Sequence, residues 1–329
     1  MNGIADDPEF RALRRYSAVI GADAALVQGA GGNVSLKRDG VLWVKASGTW
    51  LARAEAQDIM VPVALDPLLA AIYADDAVAM EDAARFVPAA RNPAGLRPSI
   101  ETTMHALLPH PVVVHVHCVE TIAWSCRTDA ATALAPLLAG LAWSFVPYVR
   151  PGAPLARAMR LRPGARPDVI VLGNHGLVVG AGNTAAAAAL VAEVATRLRR
   201  SPRAAPPPGL LPLLAGYRPA ADARTHGVAT DPRALAVARR GSLYPDHVIF
   251  LGRGIGEPPA RDAALLAVAG CGVLLRADAS AGAVALARCL ADVTARLDPA
   301  EDLRVLTADE EAALLGWDAE QYRQSLDRR

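Results

Sequence analysis

Residues 98–117 read PSIETTMHALLPHPVVVHVH, and the change of pattern inside this stretch decides the architecture. Ser99 reads as a helix N-cap, with Glu101 in the first turn and Leu107 and Leu108 near the end. Pro109 and Pro111 bracket a turn, and residues 112–117 form an apolar, β-branched run that reads as a buried strand. A helix returning directly into such a strand is a building block of an α/β fold. Side chains two apart on a strand share a face, so His115 and His117 point the same way. Two imidazoles so placed can converge on one ion at about 2.0–2.1 Å. Alone, the pair reads equally well as buried, hydrogen-bonded histidines.

Upstream, residues 8–27 carry helical apolar spacing and run into a glycine cluster, Gly29-Ala30-Gly31-Gly32. Residues 33–36 and 41–45 flank a turn containing Asp39-Gly40, a strong hairpin signal. Ser47-Gly48 follows the second strand, and a helical region at 65–87 leads to a Pro/Gly loop at 92–98. Downstream, a helix opens at 121–126. Short strands at 169–172 and 177–179 stand on either side of Asn174-His175-Gly176, and an Ala-rich helix covers 185–199. Residues 201–209, SPRAAPPPG, are Pro-rich and aperiodic and read as a linker. The division is therefore 1–205 and 206–329. In the second part, 247–251 and 272–276 read as strands, and 281–296 and 308–314 as helices.

The bulk properties exclude several classes. A net charge of +1 over 329 residues, without a long basic block, offers no field for nucleic acid. The apolar runs are shorter than the roughly 18–20 residues a membrane span needs. Cys118, Cys126, Cys271 and Cys289 are too few and scattered for a disulfide framework and form no CxxC pair. Met1 is followed by Asp6, Asp7 and Glu9 rather than a signal-peptide pattern. A cytoplasmic protein with no membrane or nucleic-acid partner is expected.

Two residues raise the His115/His117 pair above the ordinary. Glu101 begins the helix that returns into the histidine-bearing strand, so its carboxylate can reach that strand's end. His175 sits in an Asn-His-Gly turn between two short strands. Three histidines with a carboxylate nearby make a known catalytic zinc set that leaves a position for substrate. His105, one turn after Glu101, and His110, between two prolines, read as structural or solvent-facing. Residues 252–256, GRGIG, follow a predicted strand, but Glu257-Pro258-Pro259 intervenes where a helix should start, so no dinucleotide site is assigned. Asp246-His247 reads as the start of a strand rather than as a second metal or acid/base pair.

Taken in order, GGNVS (31–35), SG (47–48), PSIE (98–101), HVH (115–117) and NHGL (174–177) resemble the class II aldolase/adducin family, the fold of L-fuculose-1-phosphate aldolase. The resemblance implies an α/β/α three-layer sandwich around a mostly antiparallel sheet, with a smaller C-terminal α/β unit beyond it. It implies Zn²⁺, or another divalent metal, held by His115, His117 and His175, with Glu101 as acid/base. It assigns Asn33, Ser47, Gly48 and Ser99 to substrate binding at a phosphate end. Ordinary turns and an ordinary cap remain the other reading of those four. Phosphosugar members carry a second serine before the glutamate, where this chain has Ile100. That departure bears on substrate and leaves the metal ligands untouched. The family's 4-epimerases usually have aspartate at the Glu101 position, and its adducin-like members lack the histidines.

The expected activity is therefore a zinc-dependent, aldolase-type carbon–carbon lyase. It would cleave a small ketose or ketose phosphate by a retro-aldol path through a metal-stabilised enediolate. A sugar-phosphate dehydratase or 4-epimerase, or a non-catalytic assembly protein, are the alternatives. The family also implies a homo-oligomer, commonly a tetramer, with a tyrosine from a neighbouring subunit donating a proton. Tyr148 matches a recurring structural Pro-Tyr better than that donor. Residues 244–251 and 269–275 resemble the region following the aldolase domain in fused aldolase/short-chain dehydrogenase proteins.

Overall fold

The computed structural model describes residues 4–160, 167–260 and 262–327. In chain order the strands are β1 (Asn33–Arg38), β2 (Val41–Lys45), β3 (Met60–Ala64), β4 (Val112–Val116) and β5 (Trp143–Val146). They continue with β6 (Val169–Leu172), β7 (Gly176–Ala181), β8 (Tyr217–Pro219), β9 (Leu265–Val268) and β10 (Gly272–Arg276). The first helices are α1 (Pro8–Ala22), α2 (Leu65–Tyr73), α3 (Ala77–Glu81), α4 (Thr102–Leu107), α5 (Val119–Ser125) and α6 (Ala130–Leu134). Next come α7 (Ala153–Arg160), α8 (Thr184–Arg197), α9 (Gly227–Thr230), α10 (Pro232–Ala238) and α11 (Pro245–Leu251). The last are α12 (Ala281–Thr294), α13 (Ala308–Leu315) and α14 (Asp318–Asp327).

The described residues divide into two compact units. One draws on Met1–Val116, Leu138–Leu172 and Leu177–Thr196, the other on His117–Leu137, Gly173–Gly176 and Arg197–Arg329. The first unit is built on a sheet of order β3-β2-β1-β4-β7-β6-β5. The β1–β2, β2–β3, β1–β4 and β4–β7 pairs are antiparallel and β5–β6 is parallel. The β1–β2 hairpin turns on Asp39 and Gly40 at φ 51° and 72°, the left-handed pair that a two-residue turn of matching twist requires.

Alternation along the strands separates the two faces of this sheet. Leu42, Val44 and Val63 pack with Leu68 and Ile72 of α2, Met80 of α3, Ala106 of α4 and Ala153 and Ala156 of α7. Val113, Val146, Ile170, Leu172 and Val178 pack with Met104 and Leu108 beside Leu155. On the opposite face Trp43 meets Phe10 of α1 edge to face, with ring centroids 5.5 Å apart. The backbone N–H that opens α8, at Thr184, donates to the Glu9 carboxylate of α1, which places α8 beside α1. The arrangement is a three-layer α/β/α sandwich, as the motif order implied.

The face bearing Val113 also carries the chemistry. In β4 the alternation puts His115 on the same side as Val113. Across the β1–β4 ladder Asn33 stands opposite His115 and Ser35 opposite Val113, so all four side chains share the α4 side. Gly32 permits this entry into β1. Its φ is +62°, and a Cβ there would lie 2.8 Å from the His115 carbonyl oxygen.

The second unit carries a three-stranded antiparallel sheet of order β8-β10-β9, with α9–α14 and the short helices α5 and α6. Ion pairs join the stretch after β4 to residues near 300: Glu120 to Arg296 at 2.9 Å and Arg127 to Glu301 at 2.5 Å. The backbone adds an Arg127–Leu303 bridge. All four cysteines are free. No helix among the described residues is long and apolar enough to cross a membrane.

Two local expectations are corrected. Residues 247–251 are not a strand but the body of α11, in which every residue from Pro245 to Leu251 is buried. A helix buried all round shows no amphipathic period and mimics a core strand. Pro245 in the first turn and Gly252 at the C-cap with φ 88° are the start and stop signals that settle it. Residues 252–256 therefore follow a helix. Ser99 is not the N-cap of α4 either, since Glu101 occupies that position. The Ser99 N–H donates to the Lys45 carbonyl at 3.0 Å, and Pro98 bridges to Ala46. The chain is held extended beside β2 until residue 99 and turns only afterwards.

Candidate active site

His115 and His117 stand two residues apart at the end of β4, and His175 precedes β7, the strand that pairs with β4. All three are buried, and each offers a ligand atom within 4.8 Å of the others. Tetrahedral zinc with bonds of about 2.0–2.1 Å needs donor nitrogens about 3.3 Å apart, so the three imidazoles would have to draw closer to share one ion. A buried all-nitrogen donor set of this kind fits a divalent metal of zinc's class.

The hydrogen bonds say which nitrogens would ligate. His115 Nδ1 donates to the Leu177 carbonyl at 3.0 Å, which leaves Nε2 to carry the lone pair. That Nε2 lies 3.3 Å from Oε2 of Glu101. His117 Nδ1 lies 3.0 Å from Oδ2 of Asp246, and the His117 and His175 rings are 5.0 Å apart, tilted by 60°. Metal-bound histidines habitually give their second nitrogen to a carbonyl or carboxylate in this way.

Glu101 is held from the sheet. Asn33 Nδ2 donates to Glu101 Oε2 at 2.8 Å and to Ser99 Oγ at 3.1 Å. With the amide nitrogen so engaged, the Asn33 carbonyl oxygen faces His105 Nε2. His105 must therefore donate through Nε2 and accept through Nδ1 from the Ser35 hydroxyl, 2.8 Å away. Burial pushes the His105 pKa down to about 3, the neighbouring Glu101 only partly opposing it. A neutral His105 thus fixes the amide that fixes the carboxylate. The role of His105 is structural, as expected, and it is a specific one.

Of the residues expected at a phosphate end, Asn33 and Ser99 meet directly. Ser47 runs alongside, its N–H donating to the Arg97 carbonyl at 2.9 Å, and Gly48 follows at φ +74°. His110 sits apart, its Nε2 2.8 Å from Asp168 Oδ1.

The Asn-His-Gly turn is pinned by its asparagine. Asn174 has φ 51°, a left-handed conformation that asparagine tolerates better than most residues. Its Nδ2 donates to the carbonyls of Leu243 at 2.9 Å and Arg304 at 2.8 Å, and its N–H to the Ser125 carbonyl at 3.2 Å. Sequence spacing shows the turn but not these partners.

The residue that sequence reasoning missed is Asp246. It is buried, close to His117, and paired through Oδ1 with Arg323 of α14. Burial works against its charge, but the Arg323 guanidinium and then His117 outweigh it and hold the carboxyl well below the usual carboxylate range. Reading 245–251 as a helix would have placed Asp246 in a first turn rather than in a ladder. Nothing in one sequence links it to a histidine so far upstream. The adjacent His247 is structural, with Nε2 donating to the Gly254 carbonyl at 2.8 Å, and burial pushes its pKa down to about 4.

The chain has relatives among known proteins. Residues 17–200 match the model of the Class II Aldolase and Adducin N-terminal domain. A Bacillus subtilis (strain 168) protein named Uncharacterized oxidoreductase YuxG is 31% identical over 176 residues, covering 49% of this chain and 25% of the relative. The chain thus spans about a quarter of the length of that curated relative. Among solved structures, the N-terminal Class II Aldolase domain of a conserved protein from Thermoplasma acidophilum is 27% identical. The match covers 59% of this chain and 92% of that one, with a TM-score of 0.49. L-fuculose-1-phosphate aldolase from Thermus thermophilus is 17% identical over 58% of this chain and 91% of its own, with a TM-score of 0.40.

Proposed function

Since the chain belongs to the Class II Aldolase and Adducin N-terminal domain family, we propose that it is a zinc-dependent, aldolase-type lyase acting on a small ketose or ketose phosphate. The observation that carries this reading is the intact, buried histidine triad with Glu101 Oε2 3.3 Å from His115 Nε2. An assembly protein without catalysis has no use for that set.

Residues 1–205 supply the three metal ligands and Glu101, and residues 206–329 form an accessory unit. His115, His117 and His175 hold the metal, which when bound supplies a Lewis acid for the charge that develops as a carbon–carbon bond beta to a carbonyl breaks. Glu101 moves the proton, at a position reached from the sheet and from the metal ligands alike. Asn33 holds Glu101 by its amide, and His105 holds Asn33. Ser47, Gly48 and Ser99 bind the donor end of the substrate through a hydroxyl-rich, glycine-containing loop with little net charge. Ile100 removes a hydroxyl from that end, which favours a substrate with a small or uncharged terminus over one bearing a tightly held phosphate. A homo-oligomer and a cytoplasmic location complete the reading.

The test is product analysis with zinc-loaded protein and a panel of four- to six-carbon ketoses, free and phosphorylated. Two carbonyl fragments per substrate consumed are expected. A single product lighter by one water, or a stereoisomer of the substrate, would replace the lyase by a dehydratase or an epimerase using the same residues.

A further inference from the structure

The fold and the zinc chemistry use residues up to about 200, yet His117 is held by a carboxylate from far beyond them. Asp246 Oδ2 lies 3.0 Å from His117 Nδ1, and both side chains are at least nine-tenths buried. Asp246 is fixed in turn. Its other oxygen takes the Arg323 guanidinium, and Arg323 is itself paired with Glu320 at 3.3 Å and stacked over the Phe250 ring at 5.0 Å. The two neighbouring ligands are therefore treated differently. His115 gives its Nδ1–H to a neutral backbone carbonyl, Leu177, whereas His117 faces an anion.

A buried ion pair is weak evidence for a purely stabilising role, because desolvation of both charges offsets their attraction. Here the pair ends on one of the three clustered imidazoles, and with Nδ1 turned to Asp246 its Nε2 is the nitrogen left for a metal. A carboxylate on the far nitrogen of a ligating histidine fixes the tautomer, locks the ring's orientation and raises its basicity toward the metal.

On the premise of the zinc reading given above, we propose that Asp246 is a positioning residue for the metal ligand His117. Arg323 of α14 is its clamp, so the C-terminal residues are a working part of the metal site. Asp246 acts on metal affinity and ligand geometry. Asp246 passes no proton and touches no substrate.

The test uses the full chain, stripped of metal and checked for fold by near-ultraviolet circular dichroism. Zinc affinity is read by competition with a chromogenic chelator, and ligand geometry from the visible absorption of the Co²⁺-loaded protein. Asp246→Asn takes one of its two carboxylate partners from the buried Arg323, so the main variant is the double change Asp246→Asn/Arg323→Gln, which removes both members of the Asp246–Arg323 pair together. It is expected to bind zinc about 10–100-fold more weakly and to shift the Co²⁺ bands, while Asp246→Glu restores most of both. Arg323→Lys, which keeps the buried charge, gives a milder version and is expected to shift the bands alone. A folded double variant with wild-type affinity and spectrum would overturn the inference while leaving the zinc reading intact. A wild-type chain that binds no zinc would overturn both.

Discussion

Replacing Glu101 by glutamine is expected to lower turnover by about 10²–10⁴-fold while the protein stays folded and keeps its zinc. Glutamine has the shape of glutamate and still offers a side-chain oxygen to Asn33 Nδ2, which now donates to Glu101 Oε2 at 2.8 Å. What it loses is the capacity to take and return a proton. Because the three histidines and not Glu101 are assigned to the metal, metal content should not change. The loss should fall on kcat more than on KM, as it does when an interaction made only in the transition state is removed. Asn33→Ala should move in the same direction with a smaller drop, since it releases the carboxylate without neutralising it. Wild-type turnover in Glu101→Gln would remove Glu101 from the chemistry and reduce it to a cap for α4.

The second large effect is acid lability of the metal-free protein. His105 and His247 are buried and neutral, with pKa values lowered to about 3 and about 4, against 6.5 for the exposed side chain. Between pH 6.5 and those lowered values the unfolded chain binds a proton at each position and the folded chain does not. Stability is therefore full above pH 6.5 and falls as the pH drops, at about 1.4 kcal/mol per unit for each histidine. The two together give a slope of roughly 2.7 kcal/mol per unit near pH 5. Carboxylates whose unfolded values lie near 4 add little in this window, so denaturant unfolding between pH 7 and 5 isolates the histidines. His105→Gln should weaken the protein at pH 7, because it disturbs Asn33 and Ser35, but should make its stability less dependent on pH. An equal slope in the wild type and in His105→Gln would show that His105 takes up its proton without unfolding.

Much of this molecule was legible because short-range rules act over short spans. The Asp39-Gly40 turn declares its hairpin, and the period of two along residues 112–115 puts His115 on the face of Val113, whereas the left-handed φ of the Asn-His-Gly turn, at Asn174, was not singled out from the sequence. Ser99 and α11 went astray for opposite reasons. At Ser99 a tertiary constraint, its hydrogen bond to Lys45, overrode a good local capping signal. In α11 complete burial erased the period, while Pro245 and Gly252 still marked the ends. Asp246 was illegible in a third sense. Its chemistry was visible, but its partner is set by how α11, α14 and the stretch after β4 pack together, and single-sequence patterns are blind to that. The same holds for Glu120 and Arg296, which join segments some 176 positions apart.

The Glu101 prediction and the role of Asp246 both presuppose that His115, His117 and His175 bind one metal ion, and metal content by elemental mass spectrometry reads this without intermediary. Wild type and His117→Ala would be purified without chelator, resupplied with zinc and desalted, with circular dichroism confirming that both are folded. Close to one zinc per chain is expected in the wild type and a small fraction of that in the variant, since two imidazoles cannot close the site. A folded wild-type chain that holds no metal after zinc is resupplied would contradict the assignment, leaving the fold in place without the chemistry.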